Sequence, residues 1–343
     1  MPHNGCAHQC SFCNQTQITG VHKQPTPADV VQAIKTAAQG DLSDKTLELA
    51  FFGGSFTALN EQYMVSLLEA AQPFVTGGII TGIRVSTRPD AIDDSILHCL
   101  KHYHVTAIEL GAQSMVDSVL QANRRGHTAQ QVRQASEQIL AHGFSLGLQM
   151  MTGLYQDTPQ GARHTAQEIA ACKPHTVRIY PTVVMPGTHL AQLHRSGQYT
   201  PLTLAETVAL CSDLLAFFAQ RQIAVIRLGL HASPELEQER LAGPYHPALR
   251  ELCESHCFYR SVLATLSQNF AAGGSFTVAV HPKELSKAVG QKKENLQRFA
   301  AQGYRVTVIP CNAVHRGTFQ IQPAYLGRKE APIAAQSIGN SWI

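Results

Sequence analysis

From Pro27 to about Leu230 the chain alternates helical patterns with short apolar runs. Helices are predicted for PADVVQAIKTAAQ after Pro27, Gln62–Ala71, Asp93–His102, Asp117–Gln121, Gln130–His142, Gly161–Ala171 and Leu204–Gln220. Between them lie LELAFF, IRVST, AIELG, SLGLQMM, VRIYPTVVM and IAVIRLGL. Each run is short, apolar and bounded by Gly, Pro, Ser or Thr, as strands buried in a parallel sheet are. Strand–helix alternation implies βαβ units. Six visible strands leave two architectures open, a partial barrel or a doubly wound sheet. A seam at LAGPYHPAL (residues 241–249) opens a different pattern: a helix over 249–266, a Gly273–Gly274 turn, the strand FTVAVHP, two helices and the strand YRVTVIP. Domains are therefore expected at 1–235 and 236–343. The small, polar residues after Tyr325 are expected to fray.

Composition narrows the function classes. Of 343 residues, 27 are Lys or Arg and 24 Asp or Glu, a net charge of +3. That excludes a strongly basic nucleic-acid binder and an acidic solvating chain. Charged residues make up 15%, below the roughly 25% of an average domain. No uninterrupted apolar run reaches the roughly 18 residues of a membrane span, and MPHNGCAHQC lacks the layout of a secretory signal. Nine cysteines, an odd number without an export signal, predict a cytoplasmic chain whose thiols stay free or bind metal. Cys99, Cys172, Cys211 and Cys311 lie singly in apolar surroundings and read as small packing residues.

Cys6, Cys10 and Cys13 are different: they follow a C-x3-C-x2-C spacing in a short loop. Structural zinc needs four ligands, and His3 or His8 could complete such a site. A [4Fe–4S] cluster usually takes four thiolates, so three leave one iron open to another ligand. The spacing, with Phe12 just before the last cysteine, resembles the signature of the radical S-adenosylmethionine (radical SAM) superfamily. The resemblance implies a [4Fe–4S] cluster on Cys6, Cys10 and Cys13, whose open iron chelates the amino and carboxylate groups of S-adenosylmethionine. One electron, from a donor such as flavodoxin or ferredoxin, cleaves the sulfonium bond, and the resulting 5′-deoxyadenosyl radical abstracts a hydrogen from substrate. Phe12 would pack near the adenine.

Further segments extend the likeness. FFGGSFTAL (51–59) ends the first run with paired glycines, which permit close backbone approach to a ligand. It is similar to the superfamily's Gly-Gly-Glu-type segment, with Ser55 in place of the acid, so the backbone at Gly53 and Gly54 takes a larger share of holding the cofactor's amino group. VSTRPDAID (85–93), ELGAQSMVDSVLQANRRGHT (109–128), LQMMTGLYQDTPQ and VRIYPTVVMPGTHLAQLHRSGQYTPLTLAE resemble segments of the Elongator catalytic subunit and its bacterial relatives, from Met1 to about Leu230. By position Gln113 would contact the cofactor and Arg125 would pair with its carboxylate, as a planar guanidinium suits. Ser86 and Arg88 fall where the family contacts the ribose or methionine part; relatives often carry an acid where Ser86 stands. The fold implied is α/β, a partial (β/α)6 TIM-type barrel.

Two departures qualify the likeness. The Elongator subunit carries an acetyltransferase domain, whereas no acyl-CoA loop is recognisable here, so carboxymethylation of the tRNA wobble uridine does not carry over. Relatives also place a strand before the triplet, whereas five residues precede Cys6. The first strand is expected to be missing or the barrel to open differently, with an unpaired sheet edge.

Between His281 and Arg305 six Lys/Arg (Lys283, Lys287, Lys292, Lys293, Arg298, Arg305) face two acids (Glu284, Glu294). The strand–helix–helix–strand order around 275–311 resembles part of a KH domain, an α+β fold whose GxxG loop clamps nucleic-acid backbone. Gly290 matches the first glycine and Lys293 stands at the second. Lys287, Gly290, Lys292 and Lys293 are thus candidate RNA contacts, by phosphate attraction. A solvated helical face would show similar charges. Cys253 and Cys257 form a C-x3-C pair that reads as packing on one helix face; a metal there would need two more ligands, with His246, His256 and Cys311 as candidates.

The sequence is thus read as a radical SAM enzyme of the Elongator-like subgroup with RNA, tRNA included, as a candidate substrate and no membrane partner. The competing reading is a non-catalytic RNA-binding protein with a structural zinc or iron–sulfur site.

Overall fold

The computed structural model describes residues 6, 9–14, 23–40, 46–324 and 338–341. They divide into two compact units, Met1–Leu204 with Ile223–Pro247 and Ala205–Gln222 with Ala248–Ile343. His3 and His8, the candidate fourth ligands for zinc, lie outside the described residues.

The first unit is built on β1 (Glu48–Phe51), β2 (Gly82–Thr87), β3 (Val105–Gln113), β4 (Ser145–Thr152), β5 (Thr176–Pro181) and β6 (Ala224–Leu228). All six predicted strands are present. Their spatial order is their chain order, and every neighbouring pair is parallel. That order decides between the two architectures: a doubly wound sheet needs a point where strand order reverses, and none occurs. Crossovers of one hand that always add a strand on the same side curl the sheet into a half-barrel. The curl brings Phe52, just beyond β1, to 4.9 Å from the guanidinium of Arg178 on β5.

Buried aliphatics such as Ile83, Val85, Ile108, Leu110, Leu146 and Ile179 fill the layer between sheet and helices. The helices start where capping chemistry tells them to. Thr26 and Asp29 form a capping box on Pro27–Ala38, Thr128 and Gln131 another on Ala129–Ala141, and Thr158 caps Pro159–Ala171. The later caps set the loops between strand C-termini and helix N-termini, the end of an α/β sheet where ligands bind.

The second unit packs helices Leu204–Ala219 and Leu249–Asn269 with a four-stranded sheet of β7 (Ser275–Val280), β8 (Arg305–Pro310), β9 (Thr318–Pro323) and β10 (Ile338–Ser341). The order is β10-β9-β7-β8, with β7 and β8 parallel and the other pairs antiparallel. Phe258, Phe276, Phe299 and Phe319 form its core. Helix Leu204–Ala219 joins this unit through Ser212, whose hydroxyl donates to the Cys253 carbonyl at 3.1 Å, and through an Arg260–Asp213 ion pair. The predicted strand–helix–helix–strand order is present, and β9 follows it unforeseen. The expectation of a frayed tail is corrected at β10: Ile338–Ser341 pairs with β9, Ile338 opposite Ile321. Backbone bonding across strands, not composition, holds it. No helix among the described residues is long and apolar enough to cross a membrane.

Candidate functional site

The cysteine loop is clamped from two sides. Ser11 donates its N–H to the Asn123 carbonyl (3.0 Å) and its hydroxyl to Asn123 Oδ1 (2.8 Å). Its own carbonyl accepts from Leu190 N at 2.7 Å, and Asn14 Nδ2 donates to the Pro186 carbonyl at 3.2 Å. Asn123 is fully buried and donates its amide to the Val119 and Tyr155 carbonyls, so the clamp is itself anchored. Phe12 packs against a cluster of Val184, Leu190, Ala191, Leu193 and Tyr199. Cys10 is buried, Cys13 half-buried and Cys6 exposed as a residue. Burial of the Cys6 sulfur and the neighbouring Cys10 raise that thiol's pKa, while Arg88, Arg125 and the Ser55 backbone pull it down. Four chain segments thus meet at one thiol.

Each of the first three strand ends contributes to this place. After β1, Gly53 adopts φ +99°, open to glycine. Ser55 behind it is buried, and its hydroxyl belongs to a directed chain. Arg88 N donates to Ser55 Oγ (3.2 Å), Ser55 Oγ bonds Thr87 Oγ1 (2.9 Å), Thr87 Oγ1 bonds Thr57 Oγ1 (2.5 Å), and Thr57 donates to the Ala91 carbonyl (2.5 Å). A hydroxyl has one proton, so the carbonyl at the end fixes every donor in the chain. Ser55 gives its proton to Thr87 and does not replace the missing acid.

On β2, Ser86 accepts from Gln149 Nε2 at 3.2 Å. Arg88 grips Asp90 bidentately at 2.9 and 2.7 Å. Burial opposes the Asp90 charge, but Arg88 prevails and holds its pKa below the ordinary value. At the end of β3, Gln113 is buried at φ +64°. Arg125 donates to Cys10 Sγ at 3.1 Å and to the Gly111 carbonyl at 2.7 Å. A Cβ at Gly111 would stand 2.8 Å from Gln113 Nε2 and 3.3 Å from Arg125; glycine keeps this cradle open.

Four buried polar atoms at these strand ends and the adjoining loop have no hydrogen-bond partner among the described residues: Arg88 NH1, Gln113 Oε1, Arg125 Nε and His127 Nδ1. Leaving such groups unpaired costs about 1–3 kcal/mol each, so the arrangement fits a ligand that supplies both acceptors and donors. Among the described residues no three Cys, His, Asp or Glu side chains stand close enough to hold a metal ion. The fit to an iron–sulfur cluster therefore rests on the donor set, three thiols on one docked loop, and not on preassembled sulfurs. Cys253 and Cys257 are buried thiols on helix Leu249–Asn269, Cys257 Sγ lying 3.5 Å from the Ser212 carbonyl.

Three residues of this region had no role in the sequence reading, although each lies in a segment that carried the resemblance. Asn123 clamps the loop. Glu109 on β3, 1% exposed, binds Arg178 (2.5 and 2.9 Å) and Arg84 (3.3 Å). His127 lies within hydrogen-bond reach of the Ala112 carbonyl, Nε2 at 3.2 Å, so Nε2 carries the proton and Nδ1 is an acceptor. Burial, then the Arg125 charge, lowers the His127 pKa to about 4.

That shift predicts acid sensitivity with a definite sign. Between pH 6.5 and 4 the unfolded chain protonates this ring and the folded chain does not, so stability falls with pH by up to about 3 kcal/mol. Asp157, raised by burial to about 6, acts in the opposite direction, and the difference between variants isolates the histidine. His127→Gln should flatten the fall in unfolding free energy measured by denaturant titration from pH 7.5 to 4.5; an unchanged slope would refute the assignment.

Comparison with known proteins follows the same outline. Residues 1–169 match the Radical SAM superfamily and residues 174–257 the Radical SAM C-terminal domain. The chain is 28% identical over 195 residues to the tRNA uridine(34) acetyltransferase of Dehalococcoides mccartyi, covering 55% of this chain and 42% of that one. It is 29% identical over 192 residues to human Elongator complex protein 3, covering 50% and 35%. The chain thus spans less than half the length of these relatives. The solved structure of Elp3 from the archaeon Methanocaldococcus infernus superposes with a TM-score of 0.60 at 20% identity, over 68% of this chain and 59% of that one. Half-barrel, docked cysteine loop and sequence agree: the chain belongs to the radical SAM superfamily.

Proposed function

We propose that this chain is a radical SAM enzyme acting on RNA, with tRNA the substrate class its named relatives suggest. Cys6, Cys10 and Cys13 would hold the [4Fe–4S] cluster. Phe12, the backbone at Gly53, Gly54 and Ser55, and the side chains of Ser86, Arg88, Gln113 and Arg125 would surround S-adenosylmethionine. The observation that carries this reading is the set of four unpaired buried atoms beside the cysteine loop. Two are guanidinium donors, suited to a carboxylate; two are acceptors, suited to an ammonium or hydroxyls. When bound, cluster and cofactor supply a 5′-deoxyadenosyl radical that takes a hydrogen atom from substrate. The chain's own work is to clamp the loop through Asn123, aim the donors and exclude water.

The RNA reading draws on the second unit. Gly290, Lys292 and Lys293 have φ of +78°, +50° and +65°. Glycine adopts such an angle freely, but at the two lysines it is strained, and strained backbone persists where the surrounding structure enforces it, often at binding sites. Just beyond these residues, buried Asn295 donates to the carbonyls of Ser255 and Ala288 at 3.1 Å each and anchors the start of the following helix. Both lysines are exposed. Lys287 leaves the contact set, because its ammonium is 2.5 Å from Glu254 Oε2. Acetyl transfer is not part of the proposal.

Anaerobic reconstitution with iron and sulfide should give a protein that, once reduced, releases 5′-deoxyadenosine from S-adenosylmethionine. Cys10→Ala should reduce release to background; retained release would refute the ligand assignment, and a reduced wild-type cluster without release would refute the enzyme. Lys292→Glu with Lys293→Glu should weaken tRNA binding and flatten its salt dependence by about two units of log–log slope. Unchanged binding at all salt concentrations would remove the second unit from RNA recognition.

A further inference from the structure

The concave side of the half-barrel is charged where a packing face would be apolar. Along β5, Val177, Ile179 and Pro181 are buried while Arg178 and Tyr180 on the opposite face are half-buried. On β6 the register shifts: Val177 pairs with Val225 and Arg178 with Arg227, leaving Ile226 without a partner and 43% exposed. Without that extra residue Arg227 would face the helices, since a slip of one reverses every side chain. The bulge sets Arg227 beside Arg178, and bulges commonly re-aim side chains next to active sites.

The charges on this face do not balance. Glu109 takes Arg178 at 2.5 and 2.9 Å, and Arg84 takes Glu48 at 2.8 and 3.2 Å. Arg227 meets only carbonyls, Gly229 at 2.8 Å and Leu230 at 2.7 Å; no carboxylate among the described residues pairs with it. His231 stands near it as well. Burial, then Arg227 and Arg178, hold that imidazole below its ordinary pKa. Burial of Tyr180 outweighs the pull of Arg178 and keeps the phenol protonated as a donor. Two guanidiniums side by side repel unless an anion or acceptor lies between them, and only one has its carboxylate.

We propose that Arg227, Tyr180 and His231 form an oxyanion subsite that receives a carboxylate or phosphate group of the molecule the enzyme acts on. The proposal rests on the enzymatic reading for the identity of that molecule, though not for the subsite itself. The groups assigned to S-adenosylmethionine cluster at the ends of β1 to β3, whereas this subsite lies on β5 and β6 of the same sheet. A planar guanidinium binds two oxygens of either oxyanion, a phenol donates one further hydrogen bond, and a neighbouring anion draws a proton onto the imidazole.

The test uses the full chain without a cluster, labelled in its histidine rings, with the His231 signal assigned by its loss in His231→Gln. Sodium phosphate and sodium acetate are titrated separately. A saturable shift of His231, tighter for one salt, is expected and tells a phosphate ester from a carboxylate. Arg227→Gln should weaken it about tenfold or more, as loss of one charged hydrogen bond would. Arg227→Lys should retain part of it, and unmoved signals of the other histidines verify folding. No shift with either salt, or equal shifts in Arg227→Gln, would overturn the subsite. So would the same shift on adding S-adenosylmethionine alone, since the anion would then be the cofactor's. Saturation without 5′-deoxyadenosine release by the reconstituted enzyme would fault the enzymatic reading alone.

Discussion

A carboxylate with 1% exposure cannot be left unpaired, and Glu109 makes the concave face answer to that constraint. Its two oxygens draw Arg84 from β2 and Arg178 from β5, with Gln149 from β4 at 3.3 Å. Removing one partner from such a pair costs about 3–5 kcal/mol, so the four strands are tied at one depth. Gly147 makes the space: a Cβ there would stand 2.8 Å from Glu109 Cγ. Strand order curls the sheet, and this network sets what the curl encloses. Arg178, held by Glu109, is then in place for the ring of Phe52.

At the strand ends the opposite policy holds. Arg125 uses NH1 for Cys10 and NH2 for Gly111 but leaves Nε unpaired; Arg88 saturates Asp90 and leaves NH1. Both side chains are oriented by the bonds they make, and the remaining atoms are therefore held in place before any ligand arrives. That is preorganisation, and it lowers stability at the site.

Much of this was legible in the sequence, for reasons that also mark the limit. Six apolar runs gave six strands because the face each turns to the helices is buried and apolar, even though the concave face carries charge. Spacing singled out Cys6, Cys10 and Cys13 and resemblance singled out Gln113; the ligand roles of these residues belong to the proposal. What pairing decides was not legible. Ser55 stood where the family has an acid, and only the hydroxyl chain through Thr87 and Thr57 shows where its proton goes. Lys287 looked like a phosphate contact until Glu254, on another helix, took its charge. The strand at Ile338–Ser341 is too short and polar for pattern to show, and the extra residue Ile226 looks like any apolar strand position.

Arg178 and Arg227 differ in the charge that answers them. They are register neighbours on one face of one sheet, and both are half-buried. One is neutralised by Glu109 from β3; the other is turned inward by a bulge and given only carbonyls. A sheet that needed merely to pack would lose the bulge, turn Ile226 to the concave face and remove a repulsion between like charges. The arrangement makes physical sense if the missing counter-charge arrives with another molecule. The half-barrel then has two polar regions of different kinds. Around β1 to β3, donors and acceptors stand together; on β5 and β6 a positive charge stands without a carboxylate, while Glu109 on β3 balances the charge of Arg178.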